Sequence, residues 1–118
     1  MARADHESEV PEGAAVLPRI PAELGVDPIL LALLHAVVFL SGSEDDVVDP
    51  EASEEAMEYV ATYLQRLEGA RLDRIREDLL TLTSFAKQEG WAKSEIRFLK
   101  DFLAEFGIGT ERKKHPNE

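Results

Sequence analysis

The sequence predicts an all-α fold, a compact helical bundle of about four main helices with a possible extra short helix or arm at its N-terminal side. Three observations predict it. Two Asp-Pro pairs, Asp27-Pro28 and Asp49-Pro50, stand ahead of long stretches free of breakers, and Asp before Pro is a helix-start signal. Apolar residues then recur at steps of three and four, the spacing of one helix face. No run shows the sustained alternation of a half-buried strand.

Residues 1–20 carry acids, alanines, Gly13, Pro11 and Pro18 without a period, and are expected to form a flexible arm. The end of the arm, Val16, Leu17 and Ile20, is expected to lie on the core. The helical domain is placed at 21–109. Its first helix opens at Asp27-Pro28, with Val26 and Leu31 spaced for a hydrophobic staple, and runs to about Ser41, where Gly42 is expected to stop it. This helix is apolar nearly all round, from Ile29 through Leu34 to Leu40, so it has to be covered on most sides, by the three amphipathic helices and, for what they leave, by the arm or a second subunit.

The second helix starts at Asp49-Pro50 and carries Ala56, Met57, Val60, Tyr63, Leu64 and Leu67. From Leu67 to Leu72 the step is five, which breaks helical phase, and Gly69 in the gap predicts a tight turn. The third helix presents Leu72, Ile75, Leu79, Leu82 and Ala86 and ends at Gly90. The fourth, from about Ala92, presents Ile96, Leu99, Phe102, Leu103 and Phe106 and closes at Gly107. The polar stretch 110–118 is expected to be a disordered tail.

Composition narrows the function classes. The chain of 118 residues is 44% hydrophobic, enough for one domain with a core of its own. It has no cysteine, which removes disulfides and thiolate metal sites and fits a reducing compartment. Its first residues are acidic where a signal peptide is basic, and the apolar run Ile29 to Leu40 is far short of the roughly 20 residues of a bilayer span. A cytoplasmic location with no membrane span is therefore expected. A net charge of -11 repels a phosphate backbone, and the few aromatics are not interleaved with basic residues, so no nucleic acid is expected as a partner.

The densest polar feature is Glu44-Asp45-Asp46, followed by Asp49, Glu51, Glu54, Glu55 and Glu58. Oxygen ligands crowded at short spacing suit calcium, magnesium or manganese. The same residues are also read as a cap (Asp49) and as acids favoured at a helix N-terminus (Glu51, Glu54, Glu55). An EF-hand loop is excluded, because counting from Asp45 puts Val47 third, Pro50 sixth and Ala56 twelfth. His35, within the apolar helix, reads as a neutral core histidine satisfied by a hydrogen bond. His6 and His115 fall in the two ends, and no zinc signature is present. Arg66, Arg71, Arg74 and Arg76 cluster about Gly69. They read as salt-bridge partners of Asp73, Glu77 and Asp78, and alternatively as a contact patch for an acidic partner.

The parts of an enzyme are missing. There is no glycine-rich phosphate loop and no Gly-x-Ser-x-Gly elbow. Solvated carboxylates beside a helix N-terminus favour the ionised form, whereas a general acid has to hold its proton. No catalytic residue and no organic cofactor are assigned.

Two stretches share a pattern of apolar helix end, loop with acid and glycine, and helix opening with carboxylates. The first runs from Phe39 through the acidic loop to Glu54-Glu55, and the second from Phe85 through Glu89-Gly90-Trp91 to Ser94-Glu95. In this the chain resembles the TerB-like (tellurite-resistance-B-like) domain family. Val48-Asp49-Pro50-Glu51 is similar to the family's cap after the first loop. Ala86-Lys87-Gln88-Glu89-Gly90-Trp91, then Ser94-Glu95, Phe98-Leu99 and Phe106-Gly107-Ile108, is similar to the second copy. The resemblance covers about residues 24–108. It implies an all-α bundle with the two loops near each other, an acidic metal-binding surface, and a role in stress response or complex assembly at the inner face of the cell. Position by position it implies Asp45 or Asp46, together with Asp49, as ligands from the first loop, with Glu89 and Glu95 from the second. The sequence departs from the family at Ser41-Gly42-Ser43-Glu44-Asp45-Asp46, which is not Ala-Asp-Gly, and at Glu89, where the family has Asp.

Two functional expectations follow. One is a non-enzymatic TerB-like domain that binds a divalent cation. The other is a metal-free helical adaptor, immunity-like protein or subunit acting through protein contacts, with a protein partner or self-association covering the first helix.

Overall fold

The computed structural model describes residues 12–108 and has four α-helices and no strand among them. Residues 1–11 and 109–118, and with them most of the expected arm, the expected tail, His6 and His115, lie outside the described residues.

A 3-10 turn at Ala22–Leu24 precedes the first helix. Asp27 then caps α1 (Pro28–Gly42) by accepting the Ile29 N–H on its carboxylate at 2.8 Å. Val26 is buried and Leu31 packs on the core, as a staple requires. Gly42 is the last residue of α1 and does not stop it by a left-handed turn. Its part is to admit another segment, since a Cβ there would lie 3.1 Å from the Ala15 Cβ. Ala15 donates its N–H to Ser43 Oγ at 2.9 Å, and Glu44 donates to the Gly13 carbonyl at 2.9 Å. The chain from Gly13 onward is thereby held against the end of α1, with Leu17 buried, Ile20 half-buried and Val16 half-exposed.

Asp49 caps α2 (Pro50–Leu64) by accepting the Ala52 N–H at 2.9 Å. Helix α3 (Gly69–Glu89) begins on Gly69 itself, so the turn between the two is confined to Gln65–Glu68. Gly90 takes φ 74°, open to a residue without Cβ, while Trp91 returns its N–H to the Ala86 carbonyl at 3.0 Å. Helix α4 (Lys93–Glu105) ends on the same device, with Ile108 donating to Leu103 at 2.9 Å.

Helix α1 packs on α2 and α3 on α4. Leu30, Leu34 and Val37 of α1 join Leu72, Leu79, Leu82 and Ala86 of α3 and Leu99 and Phe102 of α4 in one core. Leu17, Val26, Phe106 and Ile108 close its ends. Each fully buried Leu or Phe contributes about 1.5–3 kcal/mol. Helix α2 has a smaller share: Met57, Val60, Ala61 and Leu64 are only half-buried, and its one buried residue is Ser53, whose hydroxyl donates to the Leu40 carbonyl at 2.6 Å.

One buried acid ties the hairpins together. Asp78 on α3, 6% exposed, accepts the Asp27 N–H at 3.1 Å and the Arg74 Nε–H at 3.0 Å. Arg74 also donates to the Gly25 carbonyl at 3.1 Å. Replacing Asp78 by Ala leaves the Asp27 amide without its acceptor and removes the ion pair with Arg74. Urea unfolding of Asp78→Ala is expected to show a loss of about 2–3 kcal/mol. The same test on Asp73→Ala, whose pair with Arg76 is exposed and 3.4 Å long, is expected to show less than about 0.5 kcal/mol.

Candidate functional site

The acids singled out in the sequence divide by the structure into engaged and free ones. Asp45 and Asp46 lie exposed in the turn that joins α1 to α2. Asp49 is exposed, with one carboxylate oxygen taken by the α2 cap. Glu95 turns back to accept the Ala92 N–H at 3.0 Å, satisfying an amide at the start of α4 where Ala92 has no side chain to help. Glu89 is exposed at the end of α3. Among the described residues no three Asp, Glu or His side chains gather into a group that could hold a metal ion. The end of α1 and the start of α4 nevertheless flank one groove of about 460 Å³, where Ser41 and Gly42 face Ser94 and Glu95 across Ala15 and Phe98.

The arginines also separate. Arg74 is committed to Asp78, which raises its pKa by accepting its hydrogen bond, and Arg76 to Asp73. Arg66 lies 4.9 Å over the ring of Tyr63. Together with Arg71 it lines a groove of about 380 Å³ whose floor is Ile29, Leu33, Leu64 and Leu67. The one acid on this groove is Asp27, whose carboxylate already caps α1. A second groove, about 470 Å³, runs between α3 and α4 over Leu80 and Leu103 and carries Arg76, Lys87 and Lys100 with no acid. In a chain of net charge -11, both grooves carry more basic than acidic side chains.

Among the large apolar residues described, Ile29 is the most exposed, with 77% of its surface in solvent. It begins a stripe that continues through Ala32 and Ala36 to Phe39, all exposed, along the face of α1 turned away from the core. No residue of α1 carries a full charge, so nothing on this face is suited to water except the backbone and His35 at its edge. Leu33 and Leu40 beside the stripe are half-buried, and Tyr63 of α2 meets Ile29 in the groove. Sequence periodicity did not single out the stripe, because apolar residues surround α1 on every side and the same spacing of three and four also runs through the buried Leu30, Leu34 and Val37.

His35 is half-buried and makes no hydrogen bond among the described residues, which corrects the expectation of a hydrogen-bonded core histidine. No buried side-chain nitrogen or oxygen among these residues lacks a partner, so its ring nitrogens reach solvent.

Among the described residues no helix is long and apolar enough to cross a membrane. No protein-family model, no curated protein and no solved structure matches the chain.

Partial burial desolvates the His35 ring and lowers its pKa from 6.5. The folded chain resists the charged ring and the unfolded chain does not, so the unfolded state binds more protons just below that value. Stability is therefore full above about pH 6.5 and falls as pH drops through the lowered pKa. Chemical unfolding between about pH 7 and pH 5.5 is expected to show this decline in the native chain and a flatter profile in His35→Gln.

Proposed function

We propose that this chain is a non-catalytic helical module that works through protein–protein contact. The observation that carries the reading is the bare apolar face of α1, where Ile29, Ala32, Ala36 and Phe39 lie exposed on a helix without a charged side chain. Isolated exposed apolar residues are ordinary on a protein surface, but a contiguous row along a whole helix marks a contact site. Arginine and tyrosine at its edge, here Arg66 and Tyr63, are the residue types enriched where proteins dock. The TerB-like resemblance draws support from the four-helix architecture and from the groove shared by the end of α1 and the start of α4. Its metal-binding corollary has less behind it, because Asp49 and Glu95 are occupied at helix starts.

The reading is tested by placing a photoreactive residue at Ala36 in producing cells, with the same residue at the exposed Glu77 as control. A discrete protein adduct of defined mass is expected at Ala36 and none at Glu77; the absence of any adduct at Ala36 overturns the reading. Thermal unfolding of the chelator-treated chain separates the two corollaries. A bound cation at 100 times its dissociation constant adds about 2.7 kcal/mol, so the contact reading expects no shift with calcium, magnesium or manganese. A shift removed by Asp45→Asn with Asp49→Asn would restore the metal reading.

A further inference from the structure

We propose that the bare face of α1 takes a second copy of this chain, with the two α1 helices antiparallel about a two-fold axis. The proposal rests on the contact reading above and names the partner. The stripe is self-complementary in shape. Its large residues, Ile29 and Phe39, stand at the ends and its small ones, Ala32 and Ala36, in the middle. Turning a second α1 end for end about the level of Leu34 sets Ile29 of each copy against Phe39 of the other, and Ala32 of each against Ala36 of the other. The alanines let the helix axes come close at the crossing, and the large side chains fill the space where the helices diverge. A two-fold interface requires this kind of mirrored order, because each pairing occurs twice.

Charge selects the antiparallel sense. The Ile29 end of the stripe adjoins Arg66 and Arg71, while the Phe39 end leads through Ser41 to the exposed Glu44, Asp45 and Asp46. An antiparallel pair sets the arginines of each copy toward the acidic turn of the other, twice over. A parallel pair would set acid against acid in a chain that already carries -11. The stripe alone is narrower than the roughly 800 Å² per partner of a standard interface. Tyr63 and the charged ends widen it, and a dissociation constant on the order of micromolar is expected.

Analytical ultracentrifugation of the full chain, up to on the order of 100 µM, is expected to show twice the chain mass. Ala36→Glu puts an unpaired carboxylate at the crossing and is expected to weaken association by at least about 100-fold. Its far-UV circular dichroism and its melting as a dilute monomer should stay native, since the site is exposed in the single chain. Arg66→Glu and Asp45→Arg test the sense one at a time, because a parallel pair already sets arginine on arginine and acid on acid and would not be weakened by reversing either. Undiminished association of either variant overturns the antiparallel sense. Each variant alone is expected to associate more weakly, and a mixture of the two should recover dimer as a heterodimer, because both charge contacts are then attractive. A chain that remains monomeric throughout overturns the dimer, and a partner of another mass captured at Ala36 would leave the contact reading standing without it. Native association of folded Ala36→Glu, or failure of the mixture to recover dimer, overturns the proposed face or sense.

Discussion

The geometry of this protein hangs on the carboxylate of Asp78. It sits on α3 in an apolar setting and receives two donors, the Asp27 amide and the Arg74 guanidinium. Burying an acid is unfavourable unless its oxygens are bonded, and here they are. The bond to the Asp27 amide fixes the start of α1, and the Arg74 bond to the Gly25 carbonyl fixes the chain two residues earlier. The side chain of Asp27 meanwhile caps the helix that its own backbone anchors. The axis of α1 over α3, and so the choice of which α1 residues meet Leu79 and Leu82, is referred to this one junction. It also holds the unbonded face of α1 toward solvent.

Helix limits were readable from the sequence because they are local. Asp27-Pro28 and Asp49-Pro50 cap the helices they introduce, and Gly90 and Gly107 follow the ends of α3 and α4. What lay beyond reach was distant in sequence or degenerate in pattern. Asp78 meets Asp27 across 51 positions, and nothing in its neighbourhood separates it from Asp73 or Glu77. On α1 every direction is apolar, so no period could say which third would be left bare. Gly42 has the composition of a stop but serves a crossing with Ala15, again a partner far along the chain. The acids at the proposed metal positions were legible as acids. That Glu95 is spent on the Ala92 amide is a matter of side-chain rotation that spacing allows without requiring.

Net charge is a poor guide to where a chain makes contact. With -11 overall, the mean field favours cations and basic surfaces. Yet apart from the buried Asp78 and the half-buried Asp27 and Glu95, the described acids lie exposed, many of them along the helices and the α1–α2 turn. The arginines and lysines are fewer, and several of them border apolar grooves, at Ile29 and Leu33 and again at Leu80 and Leu103. Long basic side chains lay their methylenes along such surfaces and keep the charge at the water edge. At these two grooves the nearest charges are therefore mostly opposite in sign to the net charge.

Helix α2 touches the remainder through half-buried side chains and through Ser53, and Gln65 pins its end with a 2.8 Å bond to the Phe106 carbonyl. It has fewer buried side chains than α3 or α4, the pattern of an element that opens locally at a lower free energy. Leu33, which lines a groove with Tyr63 and Leu64 of α2, and Leu40, whose carbonyl takes the Ser53 hydroxyl, are the α1 residues that such an opening would bring into water beside Ile29 and Phe39. Helix α2 therefore covers part of the apolar surface of α1, and the helix with the fewest buried side chains is the one that limits how much of that surface meets water.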